Sequence, residues 1–142
     1  MQTVHEPNPF AMNAIQSTLR KLESAWNSSD MKTLESLFLR DAWIIDVNGN
    51  VHYHITEQVL PVAQLLGCID GDCYCLLIIE HILFLDEEIG YVAAKMNIRD
   101  GDFEARIEGR SLMICRPAPF SSDWHIQLLH TSIARPLQYK SP

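Results

Sequence analysis

The chain is 142 residues long, 47% hydrophobic and 20% charged, enough for one domain that buries about two-thirds of its unfolded surface without a disulfide or metal. Its formal net charge of −7 excludes a phosphate-tracking nucleic-acid binder and weighs against anionic membrane surfaces. No apolar run reaches the roughly 20 residues of a membrane helix, and Met1 to Pro9 is polar. A cytoplasmic protein is therefore expected, with Cys68, Cys73, Cys75 and Cys115 as free thiols in a reducing compartment.

Asn8 offers an N-cap oxygen, and Pro9 is a first-turn residue whose missing N–H costs nothing. Ile15, Leu19, Leu22 and Trp26 then draw one apolar stripe, which predicts an amphipathic helix of about four to five turns. Asn27 to Asp30 interrupts it, and Asp30 caps a second short helix whose buried positions are Leu34, Leu37 and Phe38. Trp43 to Val47 is rich in β-favouring residues, Asn48-Gly49 is a hairpin signal, and Val51 to His54 is the returning strand. Thr56 to Leu66 reads as a third helix stopped by Gly67 and kinked or restarted at Pro61. Longer strands follow at Cys73 to Leu85, Gly90 to Arg99, Phe103 to Cys115 and Trp124 to Ile133, the middle pair joined at Asp100-Gly101.

No linker or repeat divides the chain, so residues 10–136 form a single domain between a flexible N-terminus, 1–9, and a tail, 137–142. The element order implies an α+β fold, a mostly antiparallel sheet with the three helices of the N-terminal half on one face. Along Cys73 to Leu85 one parity carries Cys73, Cys75, Leu77, Ile79, Leu83 and Leu85, and the other carries Leu76, Ile78, Ile82 and Phe84. Both faces are apolar, whereas helices cover only one. The second face needs either the chain's own loops or a second copy, and a homodimer is expected.

The stretch Ala25-Trp26-Asn27-Ser28-Ser29-Asp30, followed by Leu34, Phe38 and Asp41-Ala42, resembles the opening helix pair and first strand of the nuclear transport factor two-like (NTF2-like, cystatin-like) superfamily. Phe84-Leu85-Asp86 before Tyr91-Val92-Ala93, and Trp124-x-Ile126 leading to Thr131-Ser132 and Pro136, are similar to its SnoaL-like, SgcJ/EcaC-type branch, whose functions are largely unassigned. The resemblance implies a cone-shaped roll, a curved sheet wrapped around a long helix, with a pocket for a small, largely hydrophobic molecule and dimers made through the open sheet face. Between Asp30 and Gly49 the chain also resembles bacterial ketosteroid isomerase without a gap, the proton-moving aspartate falling at Asp46. In that alignment the enolate-stabilising tyrosine falls on Leu22 and its acid partner near Ser111 or Leu112, so the isomerase reaction lacks its oxyanion hole. Trp124 to Ser132 is similar to the association domain of calcium/calmodulin-dependent kinases, with His130 and Ser132 matching. Arg110 falls on a pocket arginine of that domain, and Thr131 stands where a second arginine would be.

Asp46 has two readings. A carboxylate shielded from water at the end of the first strand is raised towards the range of a general base, whereas one at the mouth of the Asn48-Gly49 turn accepts backbone N–H bonds. As a catalyst it would act on a carbonyl-bearing or polyketide-like substrate, with His130 assisting. The candidate ligand-binding residues are Trp26, Trp43, His54, Arg110 and Thr131. The tryptophans serve as flat pocket walls or as core, and Arg110 as a ligand clamp or as the sheet-face partner of Glu80. His52-x-His54 has no third ligand at fixed spacing, and Cys73-x-Cys75 is not a zinc knuckle, so no metal or other cofactor is expected. Two functions compete, a ligand-binding module without catalysis and an isomerase- or cyclase-like enzyme using Asp46. The missing oxyanion partners favour the first, and a third reading, protein recognition, rests on the acidic charge alone.

Overall fold

The computed structural model describes residues 8–46, 49–53, 74–99 and 106–133, the side chains of Arg106 and Ile107 excepted. Helix α1 spans Pro9–Asn27 and α2 Met31–Ser36; the strands are β1 (Phe38–Ile45), β2 (Val51–Tyr53), β3 (Tyr74–Asp86), β4 (Ile89–Arg99), β5 (Arg106–Pro117) and β6 (Trp124–Ile133). They form one curved sheet in the order β2-β1-β6-β5-β4-β3, mixed because β1 runs parallel to β6 while every other pairing is antiparallel. The expected third helix at Thr56 to Leu66, the Asp100-Gly101 turn and His54 lie outside the described residues.

Local chemistry starts both described helices where the sequence predicts, although α2 ends at Ser36, short of the expected Leu37 and Phe38. The Asn8 side chain accepts the Phe10 N–H at 2.9 Å, with Pro9 in the first turn. Asp30 caps α2 by accepting the Thr33 N–H and hydroxyl, which also hold its carboxyl below its ordinary range. The inner face of α1, Ile15, Leu19, Leu22 and Ala25, lies on a core made by Ile44, Val92, Met113, Ile126 and Leu129. Trp124 belongs to that core and packs edge-on against Phe84. Among the described residues no helix is long and apolar enough to cross a membrane.

Side chains of α1 also protect the open edge of β3, where unpaired backbone groups would otherwise invite another strand. Asn27 bonds both the N–H and the C=O of Cys75, at 2.8 and 2.9 Å, and Glu23 accepts the Leu77 N–H at 2.7 Å. These contacts fasten the long helix across the concave side of the sheet.

Two expectations are corrected. Strand β1 starts at Phe38 instead of Trp43, because pairing with β6 extends to Phe38 and Ile126 and the Leu37 C=O accepts the Ile126 N–H. On β3, a bulge between Ile79 and His81 reverses the parity of everything after it. The inward set is therefore Cys75, Leu77, Ile79, Ile82 and Phe84, and the outward set Tyr74, Leu76, Ile78, Leu83 and Leu85, all five exposed.

Candidate functional site

Four buried polar residues interrupt the core among the described residues: Thr18, Asp46, Ser111 and Thr131. Thr18 is explained by its hydroxyl donating to the Trp124 C=O, which ties α1 to β6. The other three are brought side by side by register. Thr131 pairs with Ser111 across β6 and β5, their hydroxyls 3.2 Å apart. Ile45 pairs with His130, so Asp46 and Thr131, each one residue further on, lie at the same level of neighbouring parallel strands. Alternation puts Asp46 on the face of Ile44, which is fully buried under the helices. A polar row thus crosses the concave face at the ends of β1 and β6.

Asp46 is 6% exposed and its carboxylate is held from two sides. Oδ1 accepts the Asn50 N–H at 2.9 Å, and Oδ2 lies 2.9 Å from His52 Nε2. The Asp46 backbone closes the turn as well, bonding Asn50 C=O and Gly49 N–H, with Gly49 at φ +83°, where a side chain would be strained. The turn role is therefore present, and a histidine is added to it. An aspartate that orients an imidazole is an arrangement suited to proton transfer or to gripping a polar group of a ligand.

The sequence suggests no role for His52 beyond a metal ligand or a solvated turn residue. The signal that finds it is the hairpin itself: Ile44 pairs with His52, so positions 46 and 52 share a face. Among the described residues no three His, Cys, Asp or Glu side chains gather as a metal site.

The rest of the candidate set divides. Thr131 stands beside Asp46 on the concave face, and Trp26 is half-buried against the core. Trp43, His130 and Arg110 alternate onto the opposite face. Trp43 is 48% exposed there and meets Tyr53 edge-on at 5.0 Å, and Arg110 forms an ion pair with Glu80 beside the β3 bulge. The sheet therefore separates His130 from Asp46, and Arg110 takes the sheet-face role. An open groove of ≈ 810 Å³ between α1 and β3 also lies away from Asp46.

No family model matches the chain, and neither does any curated protein. Solved structures do. A domain of unknown function with a cystatin-like fold from Nostoc punctiforme superposes with TM-score 0.78 at 13% identity, over 92% of this chain and 82% of that one. A protein of unknown function from Shewanella oneidensis, described as NTF-2 like, gives 0.71 at 17% identity over 85% and 98%. This chain has the nuclear transport factor two-like, cystatin-like fold. A ketosteroid isomerase-like protein from Erwinia carotovora gives 0.67 at 11% identity over 87% and 96%. In this cystatin-like fold the polar row of Asp46, Thr131 and Ser111 lies on the helix-covered side of the sheet, and the exposed apolar residues of β3 lie on the opposite side.

Proposed function

We propose that the chain binds a small, largely hydrophobic molecule against the concave face of its sheet, anchored by Asp46, His52, Thr131 and Ser111, with Trp26 as an apolar wall. The observation that carries this reading is the polar row set into an otherwise apolar face. Buried polar groups are costly unless they have partners, and a pocket of this kind uses a few convergent polar groups to orient an apolar ligand. The second reading, an acid–base enzyme of the isomerase or cyclase kind, is supported by the contact between Asp46 and His52. There His52 exchanges the proton and Asp46 orients it, while His130, on the opposite face of the sheet, takes no part.

One probe separates the readings. The bicyclic ketone 2-tetralone is apolar, and its α-protons exchange with deuterated solvent when a base removes them. Saturable shifts of the Met113 and Leu129 methyls without accelerated exchange support a binding module. Accelerated exchange that falls at least about 100-fold in Asp46→Asn and His52→Gln supports the enzyme. If neither inward methyl shifts for this ketone or for other apolar bicyclic probes, both readings fail.

The proposal extends to a homodimer. Tyr74, Leu76, Ile78, Leu83 and Leu85 on β3 and Leu112 on β5 are exposed apolar residues of the outer face, interrupted by the Glu80–Arg110 ion pair, and a second copy that buries them would remove apolar surface from water. Sedimentation at micromolar concentration is expected to give twice the chain mass, reduced to one by Ile78→Glu. A wild-type monomer refutes it.

A further inference from the structure

At the far end of β1 and β6 from Asp46, the sheet opens. Six residues of β1, Phe38 to Trp43, span only three of β6, Ile126 to Leu128, so the Leu39 to Ala42 segment bows away from its neighbour. Irregular pairing of this kind re-aims side chains and is common beside functional sites. Here it opens a cleft of ≈ 380 Å³, within the range of small-molecule sites. Phe38 and Leu39 supply an apolar floor, and Pro117 and Pro119 a stiff wall.

The rim is cationic although the chain as a whole is acidic. Arg40 comes from β1 and Arg116 from β5, on either side of β6, and His125 on β6 is the direct cross-strand partner of Arg116. Lys21 lies close enough to act on the His125 imidazole, as does Asp123 with the opposite sign. The one carboxylate lining the cleft, Asp41, is turned to Gln127, whose amide donates to its C=O and its Oδ1 at 3.2 Å each. Among the described residues neither Arg40 nor Arg116 makes an ion pair. Two guanidinium forks thus border one cleft, neither of them paired with the Asp41 carboxylate that also lines it, and a planar or tetrahedral oxyanion matches that donor pattern.

We infer that this cleft binds a small oxyanion, a carboxylate or a phosphate, gripped between Arg40 and Arg116 with His125 as a further donor. The site is separate from the concave face, so it stands or falls independently of the ligand proposed there. The bound group would be the anionic end of a small molecule whose apolar part rests on Phe38 and Leu39.

Titration of the full chain with inorganic phosphate and, in a second arm, with succinate tests this, read by the NMR signals of the arginine side-chain Nε–H groups and the His125 ring. Saturable shifts at Arg40, Arg116 and His125 are expected, weakened at least about 10-fold by Arg40→Gln and by Arg116→Gln and unchanged in Asp46→Asn. The arm with the tighter curve identifies the oxyanion. Both arginines are exposed, so the variants are expected to keep the parent melting temperature. Shifts that grow linearly, that chloride reproduces at equal ionic strength, or that survive both substitutions overturn the inference.

Discussion

Asp46 Oδ2 and His52 Nε2 meet at 2.9 Å across the turn that joins β1 to β2, while Asp46 Oδ1 takes the Asn50 N–H of the same turn. One carboxylate therefore both closes the hairpin and orients an imidazole. Removing it with Asp46→Ala leaves a partly buried backbone donor unpaired and is expected to destabilise the fold by about 1–3 kcal/mol. A double-mutant cycle of Asp46→Asn and His52→Gln should show a coupling of about 1 kcal/mol by urea denaturation. Strict additivity would mean that the two side chains are neighbours without being partners.

Two glycines face different obstacles. A Cβ at Gly90 would stand 2.7 Å from Ile15 Cδ1, the tip of a side chain, whereas a Cβ at Gly109 would stand 2.7 Å from the Ser132 carbonyl oxygen, which is backbone. Gly90→Ala should cost about 1–3 kcal/mol by overpacking and recover at least half of that when combined with Ile15→Val. Gly109→Ala has no side chain to trim, and its cost should persist in every such combination. Chemical denaturation of the four variants gives the comparison, and equal rescue at both sites would contradict the packing described.

Burial pushes the Cys115 thiol up to about 12 from 9.0, so near neutral pH it is a protonated, inert core group. Iodoacetamide should leave Cys115 unmodified in the native protein and alkylate it once the chain is unfolded, as peptide-level mass spectrometry would show. Because the folded value lies above the unfolded one, this thiol's contribution to stability is intact below pH 9.0 and is lost as pH rises through the window up to about 12. Rapid native alkylation of Cys115 would show that the core around it opens.

His125 titrates in the opposite direction. Burial, with a smaller push from Lys21, holds its imidazole below 6.5, against the pull of Asp123. A proton therefore binds the unfolded chain more readily than the folded one, and this residue's contribution to stability, present above pH 6.5, fades as pH falls through its folded value. His125→Gln should flatten that part of the stability profile, measured by urea denaturation between about pH 7.5 and 5. An unaltered slope would place the proton uptake elsewhere.

Much of this architecture was legible before any tertiary contact. Asn8 with Pro9 and Asp30 with Thr33 act within a turn of their own position, so capping chemistry locates both helix starts. The stripe of Ile15, Leu19 and Leu22 identifies the inner face of α1, because periodicity depends only on the helix repeat. The Asn48-Gly49 turn and the strand that returns from it are equally local. The family resemblance pointed to the right fold at a level of identity where no family model responds.

What the sequence by itself determined was therefore where both described helices begin and which face of α1 is inward, where the longer strands lie, and that β3 is apolar on both sides. Only the tertiary structure decided which face each residue serves. The bulge after Ile79 turns Ile82 and Phe84 inward, an extra residue that alternation cannot foresee because it depends on the partner strand. The parallel pairing of β1 with β6 sets Asp46 beside Thr131 and sends His130 to the far side, and the hairpin register brings His52 to Asp46. A strand's side chains alternate with a period of two, so a shift of one residue exchanges the faces; that shift is set by partners distant in the chain, and with it the membership of the site.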